Sequence, residues 1–122
     1  MVGSAFRLNY GGELPNNWVH ADRGYGSLAA VLYLSLPEHC TGGTAFWRHR
    51  SGIDRLPAEA GDEHQAVRDF VRISRWRQTQ VVPMAFNRLI LYPTQLFHSR
   101  WPFQAFGTGP QDGRLIAVGF YE

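Results

Sequence analysis

The run Leu28 to Leu36, LAAVLYLSL, constrains the fold most. It is apolar at almost every position, rich in strand formers and stopped by Pro37, which cannot donate to a sheet ladder. It therefore reads as a strand covered on both faces. Similar short apolar stretches recur along the chain, separated by glycine- and proline-bearing turns. They are Ala5 to Asn9, Thr44 to His49, Thr79 to Ala85, Arg88 to Tyr92, Leu96 to Ser99 and Arg114 to Tyr121. Leu14 to Asn17, with Pro15 and two asparagines, reads as a loop, and Thr108 to Gly113 as a strong turn. Gly42-Gly43 gives the chain freedom to reverse between its second and third strands.

One segment changes period. Asp62 to Trp76 places Val67, Phe70, Val71 and Ser74 on one side of a helix, with acidic residues in its first turn. The arginines 68, 72, 75 and 77 are then its solvent face and the start of the following segment, a better reading than a phosphate-binding patch. Seven or eight short strands with one inserted helix is the count of an all-β double-sheet jelly roll. The 122 residues make one domain, 1–122, with a helical insert at about 62–76.

Several functional classes recede on composition. A net charge of +2, evenly spread, gives no footprint for nucleic acid. No apolar run reaches the roughly 18 residues of a membrane span, and no basic region followed by an apolar block opens the chain. Cys40 is the single cysteine, so an intrachain disulfide is impossible, and it reads as a turn residue. The expected location is the cytoplasm.

Chemistry concentrates at His20-Ala21-Asp22 and at His98. Residues at i and i+2 of an extended chain point to the same side, so His20 and Asp22 can reach one ion while Ala21 faces away. With His98, which follows another apolar run, they make two imidazoles and one carboxylate. That is the ligand set of a mononuclear non-haem Fe(II) site with positions left open. His39, His49 and His64 read as surface groups or groups behind the metal ligands. Asn87, Thr94 and Ser99 are further pocket candidates. Trp47, Arg48, Arg50, Trp76 and Trp101 are assigned to packing or surface rather than to a substrate cleft.

In this order, His20-Ala21-Asp22, the strand VLYLSLP, Gly42-Gly43-Thr44-Ala45-Phe46, His98 and Gly113-Arg114-Leu115-Ile116-Ala117-Val118 resemble the Fe(II)/2-oxoglutarate-dependent dioxygenases, in particular the prolyl-hydroxylase-like branch. The resemblance spans most of the chain from Trp18 onward. It implies a double-stranded β-helix with the metal near one open end, held by His20, Asp22 and His98. It also implies an oxidoreductase that hydroxylates a peptide side chain or small molecule while converting 2-oxoglutarate and dioxygen to succinate and carbon dioxide. Arg114 resembles the family's cosubstrate-binding basic residue. A guanidinium suits that task, because it grips a carboxylate through two parallel charge-assisted hydrogen bonds. Arg100 is the second candidate for that grip, and Tyr33 is a candidate to offer its hydroxyl to the same carboxylate. The family's enzymes usually carry further strands and helices before the His-X-Asp triplet. The chain is thus expected to be minimal or shortened, with sheet edges that a homodimer could cover. A cupin-like metalloprotein and a non-catalytic binding domain with a relic metal site are the alternatives.

Overall fold

In a computed structural model, residues 2–12 and 18–122 are described. The loop expected over Leu14 to Asn17 lies outside them. Seven strands follow in chain order: β1 (Gly3–Asn9), β2 (Leu28–Tyr33), β3 (Gly43–His49), β4 (Trp76–Pro83), β5 (Leu89–Pro93), β6 (His98–Trp101) and β7 (Arg114–Tyr121). They form two antiparallel sheets, one in the order β1-β7-β2-β5 and one in the order β4-β3-β6. The fold is mainly β, and every strand foreseen from alternation is present within a few residues of its expected place. No helix among the described residues is long and apolar enough to cross a membrane.

Alternation sorts the side chains into layers. From the larger sheet Ala29, Val31, Tyr33, Tyr92, Ile116 and Val118 point inward and, with Met84, fill the space between the sheets. In β3 the parity divides the faces. Phe46 packs against that inner cluster, while Ala45 and Trp47 join Val19, Leu56, Ala66, Trp76 and Phe97 in a second core on the opposite side of the smaller sheet. Each core is a continuous apolar cluster of the kind that removes side-chain area from water.

Gly42 and Gly43 are required by contact as much as by conformation. Gly42 has φ 66°, and a Cβ there would lie 1.9 Å from the Trp101 carbonyl oxygen. A Cβ on Gly43 would lie 1.9 Å from that of Val82. β4 and β6 close on β3 from both sides at this point, so only hydrogen fits.

Two expectations are corrected. The helix expected from Asp62 to Trp76 is a single turn, α1 (Gln65–Arg68), followed by a 3-10 turn at Ile73–Arg75, and Trp76 already belongs to β4. The expected apolar side is also rotated outward. Phe70 and Val71 are exposed, while Ala66 and Asp69 are buried. The reason is polar. The Asp69 carboxylate accepts from Gln65 and lies 2.8 Å from His49 Nε2, and its carbonyl accepts from the Trp76 indole. That arrangement pins Asp69 inward and ends the helix there. His49, read as a surface group or one behind the metal ligands, is in fact buried beneath this insert.

The second correction concerns coverage. The outward-facing side chains of the larger sheet include Phe6, Leu89 and Leu91, which are 78%, 56% and 59% exposed. The register aligns Phe6 with Ala117 and Leu32 with Leu89. These exposed residues lie on β1 and β5; on β2 itself the outward Ala30 is buried while Leu28 and Leu32 are half-buried, so the outer face of the run at Leu28 is only partly covered.

Candidate metal centre

The segment entering β2 carries the first ligands. Val19 is buried in the core behind the smaller sheet and Ala21 packs against that core, which leaves His20 and Asp22 on the opposite side, facing between the sheets. Backbone bonds fix this placement. His20 N–H donates to the His98 carbonyl at 3.0 Å, His98 N–H donates back to His20 at 2.9 Å, and Asp22 N–H donates to Thr94 at 2.8 Å. The two histidines therefore sit side by side as an isolated antiparallel bridge along the free edge of β6. The ligand atoms of His20, Asp22 and His98 all lie within 4.8 Å of one another.

The imidazole tautomers follow from their partners. His20 Nδ1 lies 2.8 Å from the Trp18 carbonyl and His98 Nδ1 lies 2.7 Å from the Leu96 carbonyl. A carbonyl only accepts, so each Nδ1 carries the proton. In the neutral rings each Nε2 then presents a lone pair, and both face the Asp22 carboxylate, at 3.5 Å and 3.1 Å. Two lone pairs converging on an anion repel unless a cation or shared protons lie among them. A divalent ion satisfies all three, and backbone-held Nδ1–H groups are the usual support behind metal-ligating histidines. Burial pushes the Asp22 carboxyl up, but hydrogen bonds and charge from both imidazoles outweigh it and leave it well below the usual carboxylate range. The donor set is ready to bind without first losing an Asp22 proton.

The triad opens onto a cavity of about 450 Å³ between the sheets. Arg114, at the start of β7, lines it and is 7% exposed. Burial, with the like charge of Arg100, pulls its guanidinium down to about 10, despite the opposing influence of Tyr33 and Tyr92. No carboxylate among the described residues pairs with it. A buried cation without a protein counter-ion marks a place for an anionic ligand.

The other sequence candidates divide. Arg100 lines the same cavity, with Nε donating to the Phe103 carbonyl at 2.6 Å. Tyr33 is fully buried behind it. Its hydroxyl is 2.6 Å from Thr44 Oγ1 and donates to the Val82 carbonyl at 3.3 Å, so it is Thr44 that reaches the cavity wall. Ser99 lines the cavity and accepts from the Trp47 indole at 2.9 Å. Thr94 tethers the loop by donating to the Gly26 carbonyl. Asn87, at φ 64°, is an exposed corner residue away from the site. His64 caps α1 by accepting from Ala66 N–H.

Tyr92 and Arg7 are cavity residues that the sequence did not single out. The Tyr92 ring lies 4.8 Å from that of His98. Burial first, then the Asp22 charge, raise its hydroxyl above the usual tyrosine value. Alternation within RLILY puts Tyr92 and Ile90 on one face, but only the pairing with β2 shows that this face is the inner one.

Fold and site together define a two-sheet β protein with a candidate mononuclear metal centre between its sheets. The chain belongs to DUF6445, a family of unknown function, which matches residues 16–121. No curated protein and no solved structure matches it.

Proposed function

We propose that the chain is an Fe(II)- and 2-oxoglutarate-dependent oxygenase of the hydroxylase type, built on a jelly roll. One observation carries the reading. A two-histidine, one-carboxylate cluster lines the same cavity as a buried arginine that pairs with no carboxylate among the described residues. A metal site alone needs no such arginine, whereas a dicarboxylate chelated at one end needs a cation for the other.

The strand pairing supports the jelly-roll part. If the His20 bridge stands for a further strand between β1 and β2, the smaller sheet reads β4-β3-β6-bridge and each sheet has four members. Double-sheet jelly rolls have eight strands in two such sheets.

Each residue has a separable task. His20, Asp22 and His98 would hold the metal at the wall of the cavity, three ligands of the kind that leave further positions for a cosubstrate. When bound, iron supplies the oxidative chemistry that couples loss of carbon dioxide from 2-oxoglutarate to hydroxylation of the substrate. The Trp18 and Leu96 carbonyls hold the imidazoles in the ligating tautomer. Arg114 grips the far carboxylate. Tyr92, which lines the cavity with its ring beside that of His98, is placed to donate to the cosubstrate, while Tyr33 positions Thr44 in the cavity wall. The expected compartment is the cytoplasm.

Anaerobic Fe(II) titration with and without 2-oxoglutarate tests the proposal. The weak visible charge-transfer band of the chelate is expected in the native protein, lost in His98→Ala and weakened in Arg114→Met. A folded, metal-loaded protein without the band would instead be a cupin-like metalloprotein or a binding domain.

A further inference from the structure

Outside the metal centre, the turn that ends β3 brings a hydroxyl, an imidazole and a carboxylate into line. His49 and Asp69 are buried beneath the insert, and Ser51, two residues beyond His49, is exposed. Ser51 Oγ lies 2.8 Å from His49 Nδ1, and the other ring nitrogen, Nε2, lies 2.8 Å from Asp69 Oδ2. The Ser51 backbone N–H also donates to Nδ1, at 3.2 Å. A backbone N–H only donates, so Nδ1 carries a lone pair and the ring proton sits on Nε2, facing the carboxylate. The Ser51 hydroxyl is then a donor to Nδ1. A hydroxyl, a base and an orienting carboxylate in that order are the arrangement that activates a serine nucleophile.

The two buried members are fixed from several sides. Gln65 Nε2 donates to the other Asp69 oxygen at 3.0 Å, and the Trp76 indole donates to the Asp69 carbonyl at 2.9 Å. The Trp76 ring also stands edge-on to that of His49, with centroids 4.9 Å apart. A serine that only caps a turn needs none of this, because its hydroxyl can bond to nearby backbone. A buried ionisable pair adds little stability over apolar packing of the same volume, so what it adds here is a base of fixed orientation.

The exposed end is open to a ligand. Gly52 has φ 101°, and a Cβ there would meet nothing within 4 Å. It lines a cavity of about 730 Å³, with Ile53, Leu56, Pro57 and Pro93 among the apolar walls. No described residue lines both this cavity and that of the metal centre. Arg48 Nη1 donates to the Gly52 carbonyl at 3.3 Å, which puts a cation beside the turn.

We propose that Ser51 is the nucleophile of a second site, a serine esterase centre in which His49 is the general base, Asp69 positions it, and a carboxylic ester seats its apolar acyl group in the cavity beside Gly52. The inference goes beyond the oxygenase reading and uses no metal. Ser51 Oγ bonds to the acyl carbon as its proton passes to His49 Nδ1, and the alcohol leaves with that proton. A water, deprotonated at the same nitrogen, then releases the carboxylic acid and restores the hydroxyl. Arg48 offsets the negative charge that develops on the carbonyl oxygen.

The test uses the whole chain without added metal. It is treated with an alkyl fluorophosphonate, whose phosphorus bonds to an activated serine oxygen as fluoride leaves and His49 takes the proton. Mass spectrometry is expected to show a single adduct, on the peptide that carries Ser51. The adduct should be absent in Ser51→Ala and form at least about 100-fold more slowly in urea, where His49 and Asp69 no longer stand behind the hydroxyl. The native chain should cleave 4-nitrophenyl butyrate at least about 100-fold faster than Ser51→Ala does. In Asp69→Asn, confirmed as folded, kcat for that ester should fall while KM stays near the native value. A folded native chain that takes no adduct overturns the inference, as does an adduct on another residue or one that forms as fast in urea. So does ester cleavage no faster than that of Ser51→Ala, or an unchanged kcat in Asp69→Asn.

Discussion

Replacing Arg114 by methionine should stabilise the ligand-free protein and cripple the site. The guanidinium ordinarily titrates at 12.5, and burial foremost brings it down to about 10. The sign is that of a base disfavoured in its charged form. Below pH 10 both folded and unfolded chains carry the proton, so the folded state bears the full penalty, which fades only as pH rises from 10 towards 12.5. At about 1.4 kcal/mol per pH unit the gap corresponds to roughly 3 kcal/mol. Methionine keeps length and apolar bulk while removing the charge, so a gain of about 1–3 kcal/mol is expected at pH 7. In a chain of this size that raises the thermal midpoint by about 3–15 °C. Removing one partner of a buried charge pair costs about 2–5 kcal/mol of binding, or roughly 30- to 5,000-fold in 2-oxoglutarate affinity. Thermal unfolding with and without the cosubstrate, on Zn(II)-loaded protein, reads both quantities. A variant less stable than the parent, or one still shifted upward by 2-oxoglutarate as the parent is, would refute the reasoning.

Asp22→Asn should leave the fold intact, since the bridge between His20 and His98 is made by backbone, yet weaken Zn(II) binding at least about 100-fold in chelator competition; unchanged affinity would remove Asp22 from the ligand set. Asp69→Asn should cost about 2–4 kcal/mol in urea unfolding, because its partner His49 is buried with it. Burial raises the Asp69 carboxyl, but bonds to His49 and Gln65 and the charges of His49 and Arg75 bring the net value below the ordinary one. Its contribution is therefore present above the usual carboxylate pKa and is lost as pH falls through the lower folded value, so Asp69→Asn should flatten the acid limb of stability against pH. Tyr92→Phe should weaken 2-oxoglutarate binding about tenfold, whereas Tyr33→Phe should cost about 1 kcal/mol of stability and alter that affinity by less than about threefold; calorimetric titration of both variants separates the two tyrosines, and the reverse order would exchange their roles.

Much of the candidate site was legible because its logic is local. His20 and Asp22 share a face by the period of an extended chain, and His98 announces itself at the end of an apolar run. Since a lone arginine beside the TGPQDG turn reads as a solvent-facing strand residue, Arg114 could be named by its place in the ordered set of motifs that resembles the dioxygenases. Tyr92 and Arg7 could not, because which face of β5 or β1 looks inward depends on pairing with β2 and β7, fixed by partners tens of residues away. The segment from Asp62 misled for a different reason. Counting apolar residues at helical spacing assumes that the buried side is apolar, and here Asp69 is drawn inward by His49, an attraction between residues twenty apart. The run at Leu28 misled more mildly, since apolar character on both faces was taken for full cover on both, and of its outward residues Ala30 is buried but Leu28 and Leu32 are only half-buried.

The bridge between His20 and His98 has a kinetic consequence. The two residues are separated by most of the chain, and Asp22 is further tied to Thr94, so the triad forms only after several distant strands have found their partners. Closing so long a loop is entropically slow, and contacts of this range form late in folding. A metal ion thus has no assembled site to bind in the early chain and cannot act as a nucleus. Its effect should fall on escape from the native state: bound metal lengthens the unfolding time while the refolding rate stays near that of the metal-free chain. For an ion held by the triad, the time of its retention would then report the integrity of the whole β framework.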